Sequence, residues 1–165
     1  MEKFVEVAMT YSEQEIKKAV SFFVLSIQKM KKYFLAVYII LAVAIIWILT
    51  SDIHIILSPL LMILGYLFFY VYYQRPCDNY VKYYQKRKSS TYKFTDKNIS
   101  VTCEDFQSVI SWSFYKKAYE TPTAFLLLDD NKSIYIFPKV FFKKEERALL
   151  ASLINNNISD FEQFS

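Results

Sequence analysis

Tyr33–Thr50 (YFLAVYIILAVAIIWILT) and Ile53–Tyr73 (IHIILSPLLMILGYLFFYVYY) lie almost back to back, and no lysine or arginine separates them. A helix needs about 20 apolar residues to cross the hydrocarbon core of a bilayer, within a range of roughly 17–25. The second run meets this length and the first sits near its lower limit. Ser51 and Asp52 are the clearly polar residues of the connector, so the two runs read as a transmembrane hairpin over residues 33–75. Serine before proline is a helix-start pair, serine as N-cap and proline at the first helical position. Ser58-Pro59 therefore leaves two starts open for the second helix, one near Ile53 and one at Pro59.

The flanking charges give an orientation. Lys29, Lys31 and Lys32 precede the first run, and Arg75, Lys82, Lys86, Arg87 and Lys88 follow the second. Basic residues collect on the cytoplasmic side. A multi-pass protein of the plasma membrane with both termini in the cytoplasm is expected. Tyr33, Tyr38, Tyr70, Tyr72 and Tyr73 suit an aromatic belt at one interface, with Trp47 at the other; the plainer alternative is ordinary helix surface. No Asp, Glu, Lys, Arg or His lies between Phe34 and Leu49 or between Ile55 and Tyr73. Intramembrane ionisable residues mark ion and proton paths, so the hairpin reads as an anchor. Met1–Lys32 is charged and mixed, unlike a cleavable signal.

Hydrophobic residues make up 54% of the chain, yet 22% are charged and these avoid the second quarter. That asymmetry separates a membrane segment from a soluble part. The net charge of +4 is concentrated beside the apolar runs, which points to the bilayer rather than nucleic acid as partner. Cys77, Cys103 and the single His54 have no metal-site spacing and form no triad. The single glycine, Gly65, excludes a glycine-rich phosphate loop. No cofactor is expected, nor a disulfide, since both cysteines face a reducing compartment under this topology. Glu104-Asp105 and Asp129-Asp130 read as turns, and Glu145-Glu146 as the first turn of a helix. None of these pairs is a convincing catalytic centre, and the expectation is a non-enzyme.

Residues 1–32 read as a strand, Val5–Tyr11, followed by a helix over Glu13–Lys32 that enters the first span. Ser12 and Glu15 have the spacing of a capping box. Arg75-Pro76 reads as a helix break, with Asp78 capping a new start. Residues 76–90 form a basic connector. Its Asn79–Lys88 part is read either as a membrane-surface helix or as a plain solvated linker. Strand patterns follow at Thr91–Thr95, Ile99–Cys103, Ser108–Phe114, Ala118–Thr121, Ala124–Leu128 and Ser133–Phe137. Asp129–Lys132 is a turn, and Pro138 stops the last strand. Lys143–Asn155 reads as a helix with Ala148, Leu149, Leu153 and Ile154 on one side, and residues 156–165 as a tail that is loose apart from docking of Phe161 and Phe164. The fold class is an α+β membrane protein. Its two-helix hairpin carries a cytoplasmic antiparallel sheet or half-barrel, pleckstrin-homology-like over residues 91–155, closed by a C-terminal helix. The strand at Val5–Tyr11 is placed in the same sheet.

The C-terminal portion resembles the YcxB-like family of bacterial membrane proteins. The residues that carry the resemblance are Ile110-Ser-Trp112-Ser-Phe114, Tyr119-Glu120, Phe125–Leu128, Ile134-Tyr-Ile-Phe-Pro138-Lys139, Phe142 and Glu145-Glu146. The resemblance implies a pleckstrin-homology-like domain beside two spans. It brings no catalytic residue. The functional expectation is a membrane-anchored interaction or sensing module; the alternative is an accessory subunit of a membrane complex, such as a transporter partner or an immunity-type protein. Lys86, Arg87, Lys88, Lys93, Lys97, Lys116 and Lys117 are the candidate contacts to anionic lipid, each contributing on the order of 1 kcal/mol beside a membrane surface.

Overall fold

Alternation puts Val5, Val7 and Met9 on the buried face of β1 (Phe4–Met9) and leaves Phe4, Glu6 and Ala8 exposed. This strand opens a computed structural model that describes residues 4–49, 54–86, 89–104 and 106–164. The Ser51-Asp52 connector, Arg87, Lys88 and Asp105 lie outside the described residues. The contacts divide the chain into two units, Met1–Ala19 together with Val81–Ser165, and Val20–Tyr80.

The first unit is built on two four-stranded sheets. In one, β1 pairs antiparallel with β2 (Ser90–Thr95), which continues through β3 (Asn98–Thr102) to β4 (Gln107–Ser111). The strands read at Thr91–Thr95 and Ile99–Cys103 pair as a hairpin, its turn held by the Thr95 hydroxyl, which donates to Asn98 O at 2.9 Å. The N-terminal strand joins this sheet as read from the sequence, with Met9 opposite Ser90. The second sheet has the order β7 (Ile134–Pro138), β6 (Ala124–Asp129), β5 (Tyr115–Glu120) and β8 (Asp160–Gln163). All six residues of β6 are buried, as befits a central strand covered on both faces.

Several expectations need correction. The sheets do not close into a barrel. β4 ends at Ser111, and Trp112–Phe114 is a 3-10 turn, because the Ser111 hydroxyl accepts from Ser113 N–H and starts a turn. Trp112 is buried and donates its indole N–H to Thr95 O at 2.9 Å, while Phe114 is exposed. The tail is ordered: Ile158 is buried, and β8 pairs in parallel with β5. α5 (Lys144–Asn157) buries Leu150, Leu153 and Ile154, a face that excludes the exposed Ala148. Its start is fixed by Glu146, whose carboxylate accepts Lys143 N–H at 2.7 Å.

α1 (Glu13–Phe22) has the predicted capping box. The Ser12 hydroxyl accepts Glu15 N–H and the Glu15 carboxylate accepts Ser12 N–H, both at 3.3 Å. The helix does not run on to Lys32. It passes into a π-helical segment, Phe23–Ile27, and the chain breaks at Lys29 before α2 (Met30–Leu49).

In the second unit α2 packs against α3 (His54–Phe69). Pro59 lies inside α3, so the helix starts at the earlier of the two open positions. Gly65 is buried at this contact, where a Cβ would stand 2.7 Å from Leu41 Cδ1. A second π-helical segment, Tyr70–Gln74, carries α3 into α4 (Arg75–Gln85) without the expected break at Pro76. A proline ring clashes with the carbonyl four residues back, which is that of Tyr72. The wider π turn relaxes that clash, and the helix continues past the proline.

Candidate functional site

The first unit contains a cleft of about 520 Å³ between the edge strand of each sheet, β4 on one side and β7 on the other. Its floor is aromatic and buried: Tyr11 follows β1, Tyr84 comes from α4, Tyr92 from β2, Tyr115 from β5 and Phe137 from β7. Its rim is aromatic or aliphatic and exposed, with Phe106, Val109 and Phe114 at 50, 60 and 44%. Tyr135, Ile110, Val101 and the hydroxyls of Ser108 and Ser111 complete the lining. Among the described residues, none that lines the cleft carries a charge.

Ring packing fixes the walls. Phe114, Tyr115 and Tyr135 pack mutually edge to face, with centroids 5.2–5.8 Å apart and planes at 78–85°. Tyr92 meets Phe137 at 86°, and Tyr11 lies 4.5 Å from Tyr84. Edge-to-face pairs contribute about 0.5–1.5 kcal/mol each beyond the area they bury. The walls are thus preorganised rather than assembled by a ligand.

The two strand edges are treated differently. A strand edge displays unpaired N–H and C=O groups that must find partners. On β7 those partners are tyrosine hydroxyls. Tyr84 donates to Ile134 O at 3.3 Å and accepts Ile136 N–H at 2.8 Å, while Tyr11 donates to Ile136 O at 3.1 Å. The sequence signal for this was Cys77, Val81 and Tyr84 at helical spacing in α4, all of them buried. The connector is therefore helical over Arg75–Gln85. On β4, by contrast, no strand pairs beyond Gln107–Ser111 among the described residues. The cleft thus offers apolar faces and a backbone edge side by side, the combination that receives an extended peptide or a flat apolar group.

The lysines expected to touch lipid are dispersed. Lys93 lies on β2, its ammonium 4.7 Å from the centre of the Phe4 ring, and Lys97 is exposed in the β2–β3 turn. Lys86 is exposed just after α4. Lys116 and Lys117 are on β5 in the other sheet. Lys116 donates to Ser113 O at 3.2 Å and lies 3.8 Å from Asp130. Lys117 is committed to β8, 2.8 Å from Glu162 and 3.1 Å from Asp160. Those carboxylates, Glu162 foremost, hold its ammonium above the ordinary lysine range. Burial raises the neighbouring Tyr119 phenol. Two of the candidate acids have structural partners. Asp129 accepts Ser133 N–H at 2.8 Å, and Glu146 caps α5.

The tyrosine cleft was not legible in the sequence. Its five tyrosines come from five segments, and no local spacing links them.

Residues 94–154 match the family model described as YcxB-like protein. The matched stretch runs from β2 into α5 and includes all of β4 and β7. No curated protein and no solved structure matches the chain.

Proposed function

We propose that this chain, a YcxB-like protein through residues 94–154, is a membrane-anchored interaction module. α2 and α3 form a two-helix hairpin in the bilayer. Both termini are cytoplasmic, and the two sheets with α5 act as a pleckstrin-homology-like domain. The aromatic cleft is the place where that domain takes an uncharged partner segment or ligand.

One observation carries the reading, the pairing of β1 with β2. Both strands belong to one sheet, so the chain between them must start and finish on the same side of any membrane. The number of crossings in residues 10–89 is then even. Among the described residues one helix is long and apolar enough to cross, with the window Met30–Trp47, and only 6% of that window is buried. A helix that is apolar all round belongs in a protein core or in lipid, and so little burial argues against the core. Parity then favours a return crossing. α3 and the π segment together run from His54 to Gln74, roughly 30 Å of helix at about 1.5 Å per residue. Lys29, Lys31, Lys32 and Arg75 flank this pair and support cytoplasmic ends.

Cysteine labelling in cells tests the topology. Cys77 is only 4% exposed and is a poor reporter. Glu6→Cys, Lys97→Cys and Asp52→Cys, each in a background with Cys77 and Cys103 replaced by serine, report β1, the β2–β3 turn and the connector. An impermeant maleimide should label Asp52→Cys in intact cells, and the other two only after permeabilisation. Labelling of Glu6→Cys and Lys97→Cys from opposite sides would refute the hairpin. Release of the protein by alkaline carbonate would refute the anchor.

The second reading, an accessory subunit of a membrane complex, draws on a hollow of about 450 Å³ beside the α2–α3 contact, lined by Ala42, Ile45, Met62 and Gly65 among others. A further helix fits such a notch. Stoichiometric crosslinking of another membrane protein to this face would favour it.

A further inference from the structure

The second unit carries a basic hollow at the junction of the π segment Phe23–Ile27 and α2. Gln28 N–H donates to Phe23 O at 2.9 Å, and Lys29 then takes a φ of 57°. The sharp turn opens a concavity of about 360 Å³ lined by Leu25, Ser26, Lys29, Lys31, Lys32 and Leu35. All three lysines are exposed, and among the described residues no carboxylate pairs with any of them. Three like charges around one concave surface repel one another unless an anion lies between them. The remaining lining is a hydroxyl and two leucines. Leu35 is 62% exposed and lies within the apolar window Met30–Trp47.

An anion with aliphatic substituents meets every part of this hollow. Phosphate oxygens accept from the ammonium groups and from the Ser26 hydroxyl, and acyl chains continue beside Leu35 along α2. We propose that this hollow is a binding site for the headgroup of an anionic phospholipid. The proposal rests on α2 being a membrane span. It differs from the dispersed lysines of the sheets in gathering its cations into one cavity at the edge of an apolar helix. In the sequence Lys29, Lys31 and Lys32 signalled only orientation, because the turn that makes them concave depends on the backbone at Lys29.

The test uses the full chain reconstituted in nanodiscs of mixed phosphatidylcholine and phosphatidylglycerol, with the lipids that stay bound after detergent extraction identified by native mass spectrometry. A lysine beside anionic lipid contributes a factor of about five. Phosphatidylglycerol should therefore be retained at least about five-fold above its bulk share. The triple variant Lys29→Gln, Lys31→Gln, Lys32→Gln should return the ratio to bulk, and the control Lys93→Gln, Lys97→Gln should leave the enrichment intact. A bulk ratio in the unaltered protein overturns the site, and so does an enrichment that survives the triple variant. Because the unaltered protein is decisive by itself, a triple variant that misfolds does not rescue the proposal. Inorganic phosphate in excess should leave the bound lipid in place; displacement would assign the hollow to a soluble phosphate and overturn the lipid assignment. A chain that never enters the nanodisc overturns the anchor, and this site with it.

Discussion

Tyr84→Phe removes one oxygen atom and uncaps the edge of β7. The hydroxyl accepts Ile136 N–H at 2.8 Å and donates to Ile134 O at 3.3 Å, and Tyr84 is 2% exposed. Phenylalanine fills the same space, so the change takes the hydroxyl away from Ile136 N–H and Ile134 O without opening a cavity. A buried group stripped of its partner costs about 1–3 kcal/mol. The shorter of the two bonds should dominate, and a loss of about 2 kcal/mol follows. For a domain of this size that is a fall of roughly 10 °C in Tm. Tyr11→Phe should cost less, about 1 kcal/mol, since its bond to Ile136 O is 3.1 Å long. The two tyrosines touch ring to ring and serve the same residue, Ile136. Their effects should not add, and a coupling of about 0.5 kcal/mol or more is expected in the double variant. The assay is thermal unfolding of the full chain in detergent micelles, followed by near-ultraviolet circular dichroism, with amide exchange at Ile136 read in parallel. A Tm within about 2 °C of the parent, with Ile136 still protected from exchange, would refute the claim that hydroxyls replace a strand at this edge.

Trp112→Phe loses the indole bond to Thr95 O and leaves a small void at a residue only 3% exposed, so it should cost about 2 kcal/mol in the same unfolding assay. Gly65→Ala should be nearly neutral, because a gain of about 1 kcal/mol in helix propensity offsets the push on the flexible Leu41 side chain. Gly65→Leu should instead separate α2 from α3 at a cost of about 1–3 kcal/mol, read as earlier thermal loss of helical ellipticity. Lys117 and Tyr119 both hold their protons more tightly in the folded chain, Lys117 through Glu162 and Asp160 and Tyr119 through burial. Stability from both is complete below about pH 10 and fades as pH rises beyond it. Tm should accordingly be flat between neutrality and about pH 9 and fall above about pH 10. Lys117→Gln should cost less than about 1 kcal/mol at neutral pH and make the alkaline fall shallower.

What the sequence disclosed was set by how local each signal is. The β1 alternation, the Ser12–Glu15 capping box and the turn at Asp129–Lys132 each depend on residues within a few positions, and each is present. The apolar runs were equally plain, because a helix apolar on every side needs no partner to be recognised. The errors share another cause. Pro76 was read as a break because the rule assumes an α-helix, and the π turn before it removes the clash that the rule describes. The tail was read as loose apart from Phe161 and Phe164 because Asp160, Glu162 and Gln163 are polar; as a strand it is held by backbone pairing to β5 and by Lys117, which lies far away in the chain. The cleft failed the same way, since Tyr11, Tyr84 and Ile136 meet only once α4 has docked on β7. The basic hollow needed one backbone angle at Lys29 that a lysine rarely adopts.

Under the proposed topology, the β1–β2 pairing makes the two-helix hairpin a condition of the sheet. β2, β3 and β4 form a meander of short connections, so their contacts are local and fast to form. β1 reaches β2 only across residues 10–89, and Met9 must return to face Ser90. A flexible excursion of that length carries a closure cost that grows with the logarithm of its length. Here the excursion contains α2 and α3 packed against each other, and this ordered return relieves the closure cost. In that topology, if α3 failed to insert, α2 alone would strand β1 across the bilayer, and β2, with Tyr92 and Phe94, would be left as an open edge. The buried Val5, Val7 and Met9 of β1 would then leave the core. Under the proposed topology, completion of the sheet therefore follows insertion of both helices. A chain whose spans are incomplete would expose β2, the kind of edge through which proteins aggregate.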